Sequence, residues 1–225
     1  MKGPMKQQKG NVVSMFPIML ENMDESNIFL VGGGHVAYHK VLNLHRFGIH
    51  PTIISPEFHP SFEELEQRGT VTLITKEAEW EDVANAFLTL LVTDDEAVND
   101  RLAKQLKEAG KLVVHASNPS LGTAQIPAVT TRGKLIISVS TSGASPSLAK
   151  KIRTEIAETY DERYEDYLDF LADVRHYVKQ HVADRPERRT WLKEAIEPIY
   201  LHNTEERQTF LNELQLTFPS EQLIQ

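Results

Sequence analysis

The residues whose types and spacing most directly suggest chemistry are Gly32-Gly33-Gly34-His35-Val36-Ala37. They fit G-x-G-x-x-(G/A), follow the apolar run Asn27 to Val31 and lead into a helical pattern. In that context the first glycine makes a tight turn, Gly34 lets the main chain approach a pyrophosphate, and Ala37 permits close helix–strand packing. The start of the helix adds free N–H groups and the positive end of its dipole. The chemistry expected is capture of a dinucleotide; a glycine turn without a ligand is the competing reading. Such sites usually carry Asp or Glu at the end of the second strand, for the ribose hydroxyls. Here that strand ends in Ser55-Pro56-Glu57, so Ser55 or Glu57 must serve. No arginine stands there to hold a 2′-phosphate, which favours NAD over NADP.

Histidine is the other chemistry-bearing residue, with nine in the chain. His35 and His39 have the i, i+4 spacing of a metal pair. No third ligand is evident, and an ion there would compete with the pyrophosphate, so no metal site is expected. His115, ending the fifth apolar run, reads either as a proton acceptor or substrate contact, or as a packed strand-end histidine. Ser140 to Ser145 offers hydroxyls before a helix, a second anion site. Tyr160, Tyr164, Tyr167 and Phe170 form a stripe at helical spacing, read as core or dimer interface.

The elements that must position these residues alternate along the first half. Strands are expected at 27–31, 51–55, 71–75, 87–93 and 111–116, with helices over 35–47, 61–68 and 94–109. Phe87 to Thr93 is apolar almost throughout, as for a strand covered on both faces. A doubly wound parallel sheet of Rossmann type follows. Beyond Pro119 the rhythm changes. Lys134 to Thr141 reads as one more strand, and Ser145 with Pro146 opens a helix reaching about Tyr160. Helices are expected over 161–182, 186–200 and 204–216.

Composition limits the function classes. The chain has 225 residues, 40 % hydrophobic and 25 % charged, as in ordinary globular proteins. It contains no cysteine, which excludes disulfides and thiol catalysis and fits a reducing cytoplasm. A net charge of −8 argues against nucleic acid as a partner. No apolar run is long enough for a membrane span. Residues 1–14 are polar with three lysines, and read as a disordered tail or a leader, not a signal peptide.

Three runs then carry a family resemblance: FLVGGGHVAYHKVLNLHRFG, VTDDEAVN at Val92 to Asn99, and STSGASPSLAKKIR at Ser140 to Arg153. In this order and spacing the chain resembles the precorrin-2 dehydrogenase module of siroheme synthases over about Met15 to Tyr160. Beyond that the likeness is only that of a helical extension. The resemblance implies NAD-dependent oxidation of precorrin-2, a tetrapyrrole, to sirohydrochlorin. Some members also insert ferrous iron, and members form intertwined homodimers. It therefore implies a Rossmann domain at 15–130, a dimerisation segment at 131–160 and a helical domain at 161–225. The NAD contacts fall on Gly32, Gly33, Gly34, His35 and Val36, on Ser55, Pro56 and Glu57, and on Thr93 and Asp94.

The substrate is a polycarboxylate, so cations are needed. Arg132, Lys134, Lys150, Lys151 and Arg153 gather near the Ser140–Ser145 turn. Arg132, Lys150 and Arg153, with Ser142 and Ser145, are the substrate candidates; pairing with Glu155 and Glu158 on a solvated face is the alternative. One departure matters. Bifunctional members carry an aspartate after the fifth strand, in V-V-D-x-P, where this chain has His115-Ala116-Ser117-Asn118-Pro119. A carboxylate accepts a proton near neutral pH and an unactivated serine does not. Hydride transfer depends mainly on positioning. Ser117 and His115 are thus the catalytic candidates of a dehydrogenase without chelatase activity, although Ser117 also reads as a plain loop residue. The alternatives are a bifunctional dehydrogenase and ferrochelatase, and a non-catalytic NAD-sensing module.

Overall fold

A computed structural model describes residues 15–23 and 27–219; the expected tail at 1–14 lies outside them. The chain divides into two compact units, with the boundary after Ile126.

In the first unit, β1 (Ile28–Val31), β2 (Thr52–Ser55), β3 (Thr72–Thr75), β4 (Leu88–Leu91) and β5 (Leu112–His115) form one sheet. All pairings are parallel and the order is β3-β2-β1-β4-β5. The helices are α1 (His35–His45), α2 (Phe62–Gln67), α3 (Trp80–Val83) and α4 (Glu96–Glu108). Side chains alternate across the pleat. Leu30, Ile53 and Leu90 pack with Ala37, Val41 and Leu44 of α1 and Phe62 of α2. Their neighbours Val31, Ile54, Leu91 and Val113 pack with Val83 of α3 and Leu102, Ala103 and Leu106 of α4. Two apolar clusters on opposite faces make the sheet doubly wound. All four residues of β4 are buried, which explains its continuous apolar run. Helix α3 is one turn long and was not expected. It is held by a capping box between Glu79 and Asp82 rather than by an apolar stripe.

In the second unit, β6 (Ala128–Arg132) and β7 (Leu135–Val139) form an antiparallel hairpin, followed by α5 (Pro146–Thr159), α6 (Arg163–His181), α7 (Arg185–Glu194), α8 (Pro198–His202) and α9 (Thr204–Thr217). The hairpin corrects the expectation of one more strand over 134–141. That strand pairs with β6, where no strand is expected from the sequence. The turn between them is two residues, with Gly133 at φ +49. The single helix expected over 186–200 is also corrected. It breaks after Glu194, and Pro198, which has no N–H, starts α8 at a first-turn position.

Tyr167, Phe170, Val174 and Val178 on α6 pack with Ala195, Phe210 and Leu214 in one core. The aromatic stripe therefore resolves into core at Tyr167 and Phe170, while Tyr160 remains exposed. Burial pushes the Tyr167 phenol above its ordinary pKa, and its hydroxyl donates to the Ala195 carbonyl at 3.1 Å. Arg207, itself buried, donates to the Tyr200 and Leu201 carbonyls and so closes the end of α8. Among the described residues no helix is long and apolar enough to cross a membrane.

Leu90 is wholly buried at the centre of the sheet. Leu90→Ala is expected to cost about 2–5 kcal/mol, read as a lower urea midpoint with an unchanged slope.

Candidate functional site

The carboxyl ends of the strands stand in one row. Ile74, Ile54, Val31, Leu91 and His115 are register partners from β3 across to β5. Every loop leaving that row emerges on the same edge, and the order reverses between β1 and β4, where an open α/β sheet takes its ligand.

The turn after β1 has a different use for each glycine. Gly32 adopts φ +121 and donates its N–H to the Ile54 carbonyl at 2.9 Å. Gly33 is the point of closest approach: a Cβ there would lie 2.1 Å from the Glu57 carbonyl oxygen and 2.9 Å from the Ser55 Cβ. Its carbonyl accepts the His59 N–H at 2.7 Å, which ties the loop after β2 to the turn. Gly34, the N-cap of α1 at φ −79, would have no protein atom within 4 Å of a Cβ. Free space therefore lies at the head of an 11-residue helix with no acidic residue in its first turn. First-turn amides have no partner within their own helix, so this cradle fits a phosphate. Ala37 is fully buried against the sheet, as the motif requires. His35 and Val36 are exposed beside the turn. The Gly33 contacts bring Ser55 and Glu57 next to the turn; Ser55 is buried, while Pro56 and Glu57 are exposed.

The loop after β4 is organised by Asn99, the last residue of the VTDDEAVN run, to which the sequence alone assigns no role. Asn99 is buried, and its amide donates to the Thr93 carbonyl at 2.8 Å. Its Oδ1 accepts from the Thr93 hydroxyl at 2.9 Å and from the Thr93 N–H at 3.3 Å. Asp95 caps α4 by accepting from Ala97 and Val98. Thus in TDD-x-x-x-N, Thr93, Asp95 and Asn99 hold the loop's shape and Asp94 is left exposed.

At the end of β5 the His115 ring is fully buried. Its Nδ1 accepts the Asn118 N–H at 3.0 Å, so the proton resides on Nε2, which donates to Asp100 Oδ1 at 3.0 Å. Both ring nitrogens are thus engaged, the arrangement of a packed strand-end histidine. Ser117 is exposed, with its hydroxyl 3.5 Å from Nδ1.

In the second unit the cationic candidates separate. Arg132 was expected to reach substrate, but its guanidinium donates to the Thr131 and Ala157 carbonyls and lies 3.6 Å from Glu162. It clasps the end of α5 to the hairpin. Lys134 pairs with Asp169 at 2.6 Å, and Lys151 lies 3.9 Å from Glu155. Among the described residues Lys150 and Arg153 are not in an ion pair, and Lys150 is exposed. The Ser145 oxygen caps α5 by accepting from Leu148 N–H at 3.2 Å, so it serves the helix first. Ser142 is exposed and left-handed at φ 52, its N–H held by Ser140 Oγ.

The three glycine roles are separable by substitution. Gly33→Ala must displace the Glu57 carbonyl, and is expected to destabilise by more than about 2 kcal/mol. Gly34→Ala meets no protein atom and should change stability by less than about 1 kcal/mol, yet lower NAD affinity by about tenfold or more. Thermal unfolding and NAD titration of both variants check this.

Comparison with known proteins agrees with this geometry. An NAD(P)-binding family profile matches residues 19–128, the sirohaem biosynthesis protein central profile matches 132–159, and the SirC C-terminal domain profile matches 164–210. The precorrin-2 dehydrogenase of Priestia megaterium is 31 % identical over 201 residues, covering 89 % of this chain and 98 % of that protein. The precorrin-2 dehydrogenase of Bacillus subtilis (strain 168) is 31 % identical over 160 residues, 71 % of this chain and 94 % of that one. A siroheme synthase of Methylococcus capsulatus is 33 % identical over 181 residues, 80 % of this chain but 38 % of that longer protein. The solved structure of SirC, precorrin-2 dehydrogenase, superposes with a TM-score of 0.75 at 30 % identity, covering 90 % of this chain and 100 % of that one. The chain belongs to the precorrin-2 dehydrogenase family.

Proposed function

We infer that this chain oxidises precorrin-2 to sirohydrochlorin with NAD and stops there. The carrying observation is the open cradle at Gly34, at the head of α1 on a β3-β2-β1-β4-β5 sheet, in a chain similar to precorrin-2 dehydrogenases over nearly their whole length. The nicotinamide supplies the hydride acceptor. Gly32 to Val36 hold the pyrophosphate through main-chain amides, Ser55 to Glu57 meet the adenosine ribose, and Thr93 and Asp94 border the crevice. NAD is favoured over NADP because no arginine or lysine stands at Ser55 to Glu57 to neutralise a 2′-phosphate.

Lys150, Arg153 and Ser142 are the residues proposed to bind substrate carboxylates. Ser117, exposed beyond the end of β5, orients substrate or passes a proton to water. Without a carboxylate there, oxidation is retained and metal insertion is not supported. The β6–β7 hairpin and α5 support a homodimer. Ile136 on β7 and Leu148 on α5 expose apolar surface that a second copy would cover. The absence of cysteine supports a reducing, cytoplasmic setting.

Purified protein mixed with precorrin-2 and NAD is expected to form NADH and sirohydrochlorin together, faster than with NADP. Added ferrous or cobaltous ion is then expected to enter the product no faster than without protein. Nucleotide binding with no turnover would replace this reading by a sensor. Insertion well above the spontaneous rate would replace it by a bifunctional enzyme. Lys150→Ala and Arg153→Ala are expected to raise KM for precorrin-2 and leave NAD affinity unchanged.

A further inference from the structure

The pair His35 and His39 on α1, of which His35 is the first helical residue after the glycine turn, has a geometry with its own chemistry. Both side chains are exposed, and their Nε2 atoms converge to 3.1 Å, the rings 4.3 Å apart and nearly perpendicular. The alternative to a ligand is an imidazole–imidazole hydrogen bond, one ring donating to the other. We propose that the pair is a two-histidine site for a divalent transition-metal ion that prefers right-angled coordination, such as Ni²⁺, Co²⁺ or Cu²⁺.

The distance supports the choice of ion. Two nitrogens 3.1 Å apart, each about 2.1 Å from a shared ion, subtend about 95° at it. That is the angle between neighbouring ligands in octahedral or square-planar geometry, whereas tetrahedral zinc needs a wider one. Placement on one helix face brings the two rings together, because i, i+4 side chains are stacked one turn apart. His59 stands further off, with its ring 5.8 Å from His35 and its Nδ1 accepting the Ser61 N–H. Among the described residues no group of three or more His, Cys, Asp or Glu is arranged to hold a metal. Water therefore fills the remaining positions, and the ion is exchangeable. This departs from the expectation of no metal, which rested on the missing third ligand and on competition with the pyrophosphate; imidazole suits these ions with water in the other positions, and the ion is expected to bind when no nucleotide occupies the turn. The inference does not depend on the substrate assigned above.

Calorimetric titration of the full chain with Ni²⁺, Co²⁺, Zn²⁺ or Mg²⁺ tests it. One equivalent of Ni²⁺ or Co²⁺ is expected to bind, and Mg²⁺ is expected not to. Outer-shell changes alone cost about 10–100-fold in metal affinity, so His39→Ala is expected to lower Ni²⁺ affinity by at least about tenfold. His39→Gln, which keeps a polar side chain on the exposed helix, should do the same with an unchanged thermal midpoint. His45→Ala, elsewhere on the helix, should leave binding intact. Bound Co²⁺ is expected to show the weak visible absorption of six-coordination. No heat of binding, equal binding by His39→Ala, or the intense band of four-coordinate Co²⁺ would overturn the proposal.

Discussion

The closeness of two loops at Gly33 is the constraint on which the rest of the cradle depends. The turn leaving β1 and the loop leaving β2 meet main chain to main chain, where a Cβ would stand 2.1 Å from the Glu57 carbonyl. Two hydrogen bonds flank that contact, from Gly32 N–H to Ile54 and from His59 N–H to Gly33. With the turn pinned on both sides, α1 starts from Gly34 with no side chain capping its first turn. Any side chain at Gly33 would part the loops, so the positions of the glycine turn and of the loop after β2 are set by one contact.

Further along the same edge, polar side chains do what glycine does at β1. Asn99 holds Thr93 by three hydrogen bonds, and the His115 ring spans from Asp100 on α4 to the Asn118 main chain beyond β5. Loops have little apolar surface to bury, so their shape is set by satisfying main-chain groups. Because the satisfying groups are themselves buried, the loss of one partner would leave the other uncompensated. The loops of this edge are therefore shaped by buried polar groups, while Gly34 and Ser117 stand exposed.

Much of this was legible in the sequence, for identifiable reasons. The central strands were readable because burial on both faces makes them apolar runs, edge strand β3 because its β-branched residues stand between turn signals, and the glycine turn because its motif sits between a strand and a helix. The one-turn helix α3 was invisible because a capping box, not periodicity, holds it. Strand β6 was missed because only Thr130 within it is buried, and the break between α7 and α8 because Pro198 interrupts a pattern that otherwise continues. Side-chain roles were least legible. His115, Arg132 and Asn99 have unremarkable neighbours in sequence, and what each does depends on residues 3 to 30 positions away: His115 on Asn118 and Asp100, Arg132 on Ala157 and Glu162, and Asn99 on Thr93.

The state of His115 bears on which chemistry the edge supports. A serine becomes a useful base or nucleophile when a neighbouring imidazole can take its proton. Ser117 lies 3.5 Å from Nδ1, but that lone pair already accepts the Asn118 N–H at 3.0 Å, and Nε2 carries the proton shared with Asp100. To take a proton from Ser117 the ring would have to break its main-chain hydrogen bond inside a fully buried pocket. Ser117 therefore stays an ordinary hydroxyl, able to orient a ligand and to relay protons to water. Transfer of a hydride between two positioned partners needs no more than that from the protein. Stripping protons from pyrrole nitrogens during metal insertion does need a base, and a serine held in this way does not supply one.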